Sequence, residues 1–156
     1  MRWTARARTA CLGAAAVLVA CGAPPRSTPS TQPAPAEAGD RLALADAASD
    51  VITAALEADA RLERADSLYS PAAQSIADGH YRDEPPRFAG LEEGGSLAVG
   101  SMQVVVRDSL VWAVVEYRWF STRNDIGRQA LATLILSPPH GATGWKIVHT
   151  HSSTAR

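Results

Sequence analysis

His149 and His151 stand two residues apart in Trp145-Lys146-Ile147-Val148-His149-Thr150-His151-Ser152-Ser153, a strand-like run holding two of the four histidines. Strand side chains alternate, so Trp145, Ile147, His149 and His151 are expected on one side and Lys146, Val148, Thr150 and Ser152 on the other. Two imidazoles beside an indole can wall a pocket and accept protons, or converge on a metal if His80, Asp78 or Glu116 supplies a third ligand. The same pattern fits a packed edge whose histidines satisfy their own hydrogen bonds. No metal or other cofactor is expected, because nothing in the spacing brings a third ligand near.

Glu116 and Arg118 share a strand face with Trp112, Val114 and Phe120. A carboxylate buried there would be tuned by desolvation and by the guanidinium, as a proton-shuttling site requires, or the two would form a salt pair at the sheet rim. Tyr69, Tyr81 and Tyr117 can offer a phenol to an oxyanion, and Asp78 can act as a base. The candidate catalytic residues are therefore His149, His151, Glu116 and Asp78. The candidate ligand-binding residues are Tyr69, Trp112, Glu116, Arg118, His149 and His151. No phosphate loop, nucleophile elbow, His-Glu-x-x-His or Cys-x-x-Cys pattern is present.

Positioning these groups falls to an ordered series of elements. Asp40 is suited to cap a helix carrying Leu44, Ala48, Val51, Ile52, Ala55 and Leu56 at spacings of three and four. Asp59 is suited to cap a second helix, 60–69, ended by Ser70-Pro71. A first strand is expected over 74–81 and at most a short helix over 89–93. After Gly100 come strand-like runs at 102–107, 110–121 and 129–137, then the closing run, joined by short connections that imply antiparallel neighbours. Helices before a meandering sheet give an α+β domain. Both faces of the 110–120 run are apolar, so the face away from the helices needs a cover. A second copy of the domain supplies it economically, and the tether or a loop is the alternative.

The chain begins with a different composition. Arg2, Arg6 and Arg8 precede an apolar stretch, Ala10 to Ala20, about half of the roughly 20 residues that span a bilayer. Leu18-Val19-Ala20-Cys21 resembles a bacterial lipoprotein box. That resemblance implies a signal peptide over 1–20, cleavage before Cys21, acylation of Cys21, and an exported protein anchored in the cell envelope through lipid. Residues 21–39 are rich in Pro, Ser and Thr and read as an extended tether, leaving 40–156 as the folded domain. Loss of three arginines from fifteen Lys plus Arg residues leaves twelve against sixteen acidic ones, which invites no nucleic acid.

The helices, Glu116-Tyr117-Arg118-Trp119 and the Trp-x-Ile-Val-His-x-His-x-Ser ending together resemble the nuclear transport factor 2-like (NTF2-like) superfamily over about 41–153. The resemblance is to its SnoaL-like branch, which includes the calmodulin-kinase association domain. It implies N-terminal helices packed on a curved antiparallel sheet, a cone whose open end holds a pocket, and dimerisation through the convex sheet surface. Branch members often carry a cavity-facing arginine on the penultimate strand, where this chain has Leu131 in Gln129-Ala130-Leu131-Ala132-Thr133-Leu134. The resulting expectation is an envelope lipoprotein whose domain binds a small, mostly apolar ligand or mediates assembly, without evident catalysis. The alternative is a proton-transfer isomerase or lyase using a pocket histidine or carboxylate.

Overall fold

The computed structural model describes residues 35–107, 110–137 and 144–155. The leader, Cys21 and the tether as far as residue 34 lie outside the described residues. One helix, α1 (Pro35–Ala60), packs on a six-stranded sheet: β1 (Tyr69–Ala77), β2 (His80–Tyr81), β3 (Gly95–Arg107), β4 (Leu110–Ser121), β5 (Gly127–Ser137) and β6 (Lys146–Thr154). The strand order is β2-β1-β6-β5-β4-β3. The chain is therefore α+β, with an open sheet.

α1 starts five residues before Asp40. Pro35 suits a first helical position, where a missing N–H costs nothing, and Asp40 lies exposed inside the helix rather than at its cap. The stripe Ala48, Ile52, Ala55, Leu56 is fully buried, whereas Leu44 stays 37% exposed because the first half of α1 is not covered by the sheet.

The second helix over 60–69 does not form. Glu63 N–H donates to the Ala58 carbonyl (2.9 Å) and Leu62 N–H to that of Asp59 (3.0 Å), a Schellman ending. Leu62 takes the left-handed position (φ 56°) usually given to glycine, so no glycine marks the stop. The chain then runs through a single 3-10 turn, Asp66–Leu68, and Tyr69 already begins β1. Residues 89–93 form turns rather than a short helix.

β1 and β2 form a hairpin across Asp78-Gly79, both at positive φ (48° and 79°), as a tight hairpin turn requires. β1 pairs parallel with β6, so the sheet is mixed rather than wholly antiparallel. The chain returns from β5 to lie beside its first strand, and that pairing joins residues more than seventy positions apart.

On the helix side of the sheet, Val111, Ala113, Val115, Tyr117 and Trp119 of β4 meet Ala130, Ala132, Leu134 and Leu136 of β5. Phe88 and Leu91 close over them, with the Phe88 ring edge-on to Tyr117 (centroids 6.2 Å apart). Each large apolar side chain so buried stabilises the fold by about 1.5–3 kcal/mol.

Candidate functional site

The faces of β6 do not follow simple alternation. Leu136 pairs with Ile147 and Ile135 with His149, so Val148 is an extra residue, a β-bulge. Trp145 and Ile147 face the core before the bulge, and after it Thr150 and Ser152 do. His149 and His151 are thereby turned to the outer face, where they lie beside Ile135 and Thr133 of β5 and Gln74 and Ile76 of β1. The expectation that the histidines share the face of Trp145 and Ile147 is corrected by this single residue.

β4 alternates without interruption. Trp112, Glu116 and Arg118 therefore stand on the outer face and are exposed. Glu116 borders two open depressions there, of about 240 and 200 Å³. Leu131 also faces outward, so it does not stand at an interior position of β5. The arginine on the inner side of that strand is Arg128, whose guanidinium lies 5.8 Å from the Trp119 ring and which pairs with Glu92.

Asp78 is occupied structurally: its Oδ1 accepts the Thr154 N–H (2.8 Å) and hydroxyl (3.0 Å), tying the hairpin turn to the end of β6. Tyr69 is buried at the start of β1, and burial pushes its phenol well above the ordinary range. The candidate residues thus divide between the outer face (Trp112, Glu116, Arg118, His149, His151), the hairpin turn (Asp78) and the core (Tyr69). They do not converge on one cavity. Among the described residues no group of three His, Cys, Asp or Glu side chains is placed to hold a metal ion.

The space between helix and sheet is packed by Ile52, Leu56, Phe88, Tyr117, Trp119 and Leu134. Its polar groups are largely spent on one loop. Asp59, 2% exposed near the end of α1, accepts the N–H groups of Arg87 (2.8 Å) and Phe88 (2.7 Å). Ala89 N–H donates to Ser152 Oγ (2.9 Å), and Tyr117 donates its hydroxyl to the Ala89 carbonyl (2.7 Å). Three distant elements therefore hold three successive residues. Burial raises the Asp59 carboxyl above its ordinary value, against the pull of its two amide donors and of Arg87, and burial likewise raises the Tyr117 phenol.

Asp59 is the residue whose role differs most from the sequence reading. One signal pointed to it: a carboxylate in the last turn of a helix opposes the helix dipole, so it needs another partner.

Beside this loop a crevice of about 390 Å³ opens where the β1–β6 ladder is interrupted between Tyr69 and Gln74. Pro71, which has no N–H for a ladder, lies in the interruption. Arg87, 8% exposed, lies 4.3 Å over the Tyr69 ring, and its Nη2 donates to Asp66 Oδ1 (2.7 Å) and to the Asp83 carbonyl (3.1 Å). Hydrogen bonding to Arg87 holds the Asp66 carboxyl below its usual range. Arg64 pairs with Asp66 and Glu84. Much of the charge lining the crevice is thus already paired.

No family model matches the sequence, and no curated protein matches it. Solved structures do. An NTF2-like protein with a cystatin-like fold from Novosphingobium aromaticivorans superposes with TM-score 0.57 at 12% identity, over 77% of this chain and 89% of that one. The chain has the NTF2-like fold. The association domain of the Caenorhabditis elegans calmodulin-dependent kinase II aligns on this NTF2-like domain with TM-score 0.58 at 18% identity, over 73% and 98% of the two chains. A provisionally named ketosteroid isomerase from Shewanella frigidimarina aligns with TM-score 0.56 at 15% identity, over 70% and 97%. At these identities the likeness is one of NTF2-like architecture, and activity must be argued from the site.

Proposed function

We propose that this NTF2-like domain is an assembly module of the bacterial cell envelope, exported, lipid-anchored at Cys21, and self-associating through the outer face of its sheet. The carrying observation is the apolar band on that face. Val105, Leu110, Trp112, Phe120 and Leu131 are exposed, with Val114 and Ile135 half-buried among them. Exposed patches of this kind are unusual on a monomer. Glu116 and Arg118, two residues apart in the same band, give it opposite charges that a two-fold copy can match. One of the structures of like architecture is itself named an association domain.

Proton transfer by an isomerase or lyase finds less support. The histidines and Glu116 lie on the open face, and Tyr117 and Asp59 are committed to the 87–89 loop. The rim crevice is lined by charged side chains, several of them paired, which does not suit a mostly apolar ligand.

Sedimentation velocity at micromolar concentration tests the association. Wild-type chain should sediment as a dimer or larger. Trp112→Glu should weaken association by about 2 kcal/mol or more, roughly thirtyfold, the scale of an aromatic anchor at an interface centre. A wild-type monomer would remove the proposal. The anchor is tested separately: Cys21→Ser should move the protein from the membrane fraction to the soluble one, and unchanged fractionation would refute lipidation at that residue.

A further inference from the structure

The sheet is open, and its two edges are unlike. β2, at one edge, is two residues long. β3, at the other, runs for thirteen residues from Gly95 to Arg107, and no strand among the described residues pairs with its free side. A long edge usually carries protection in the form of proline, charge or a bulge. β3 has no proline, and its one charged residue, Arg107, stands at the very end. Its bulge, at Gly100-Ser101, leaves Met102–Arg107 as an uninterrupted run. The helix-side residues Leu97, Val99, Met102, Val104 and Val106 are only partly buried, although they pack against the core.

We infer that the free edge of β3 is a second self-association surface, at which Met102–Val106 pairs antiparallel with the same segment of another copy. The choice of occupant follows from three observations. The chain's own segment from Gly22 to Pro35 has no proline-free run longer than three residues, so it cannot supply a ladder of this length.

Side-chain parity then restricts the pairing. Residues directly opposite share a face, so a two-fold axis through Val104 sets Val104 against Val104, Gln103 against Val105 and Met102 against Val106. The half-buried helix-side valines and methionine of one copy then cover those of the other. Finally, Arg107 falls opposite Ser101, which keeps the two arginines at opposite ends of the ladder and apart. The pairing continues the sheet from one copy to the next with both α1 helices on the same side. Its core is the backbone of the edge and the side chains of the helix face, with only Gln103 and Val105 on the outer side, so it can be tested apart from association through Trp112.

Single-cysteine cross-linking tests it, on the chain with Cys11→Ser and Cys21→Ser. Antiparallel neighbours have Cα atoms about 4.5–5.5 Å apart, within the range a disulfide bridges. Val104→Cys should form a disulfide-linked dimer under mild oxidation about tenfold faster than Val106→Cys, which faces Met102 of the partner copy instead. Val104 points to the helix side, so association through the outer face cannot bring two such cysteines together, and adding Trp112→Glu should leave the cross-link in place. Hydrogen exchange on the cysteine-free chain supplies a second reading: the β3 amides should gain protection as concentration rises.

Failure of Val104→Cys to cross-link in a chain folded by circular dichroism overturns the inference. So does loss of the cross-link with Trp112→Glu. Exchange in β3 that ignores concentration also overturns it.

Discussion

Gly95→Ala should destabilise the domain by about 3 kcal/mol, the upper range for overpacking, without removing any favourable contact. A methyl group on Gly95 would overlap Nε1 and Cε2 of the Trp119 indole and lie 2.7 Å from the Phe120 carbonyl oxygen. Neither neighbour can give way cheaply. Trp119 is fully enclosed in the core, and the Phe120 carbonyl belongs to the strand that pairs with β3. Among the described residues the indole N–H has no hydrogen-bond partner, so no such bond fixes its position. Gly100 is the control: a methyl group there meets the Glu116 carbonyl oxygen at 3.2 Å, which a small shift relieves. Urea denaturation should therefore show a large fall in midpoint for Gly95→Ala and a fall of about 1 kcal/mol or less for Gly100→Ala. Equal midpoints for the two variants would contradict the close approach of β3 to Trp119.

Asp59→Ala should cost about 3 kcal/mol as well, by a different route. It leaves the buried N–H groups of Arg87 and Phe88 without an acceptor, and an orphaned buried donor costs about 1–3 kcal/mol. Asp59→Asn keeps one acceptor and should lose less. The two forms also differ in pH dependence. Burial raises the carboxyl above its ordinary value in the folded state, so the native protein binds this proton more tightly than the unfolded chain. Its contribution to stability is then complete below the unfolded value and lost as pH rises through the folded one. Wild type should lose stability relative to Asp59→Asn across that interval, and unfolding curves from pH 3 to 7 will show it. A difference that grows toward acid in favour of Asp59→Asn would reverse the sign and reject a raised carboxyl.

How far the fold could be read in advance depended on how local the deciding interaction was. The spans of β4 and β5 followed from β-rich runs bounded by turn residues, whereas the single strand expected over 74–81 is broken by the hairpin turn at Asp78-Gly79. The buried half of α1 followed from its three- and four-residue spacing. The helix end at Leu62 was hidden, since a leucine there holds a conformation that composition assigns to glycine. The parallel pairing of β1 with β6 joins segments with no local relation, and no turn announces it. Asp59 illustrates the limit for the site: a carboxylate before Ala60 and Arg61 looks like the cap of a following helix, and its actual partners are backbone amides almost thirty residues away.

The extra residue at Val148 has a consequence for comparing chains. It works as a change of frame within one strand, so the letters before and after it are read on opposite sides of the sheet. A chain with the same ending in which residue 148 paired in register, without the bulge, would present both histidines to the interior and turn the threonine and serine to solvent. Two such chains would look nearly identical as text while one carried its imidazoles in a core and the other on a surface. Whether that one position bulges out of the pairing, rather than the histidines themselves, would then divide relatives that could use this strand for chemistry from those that use it for contact.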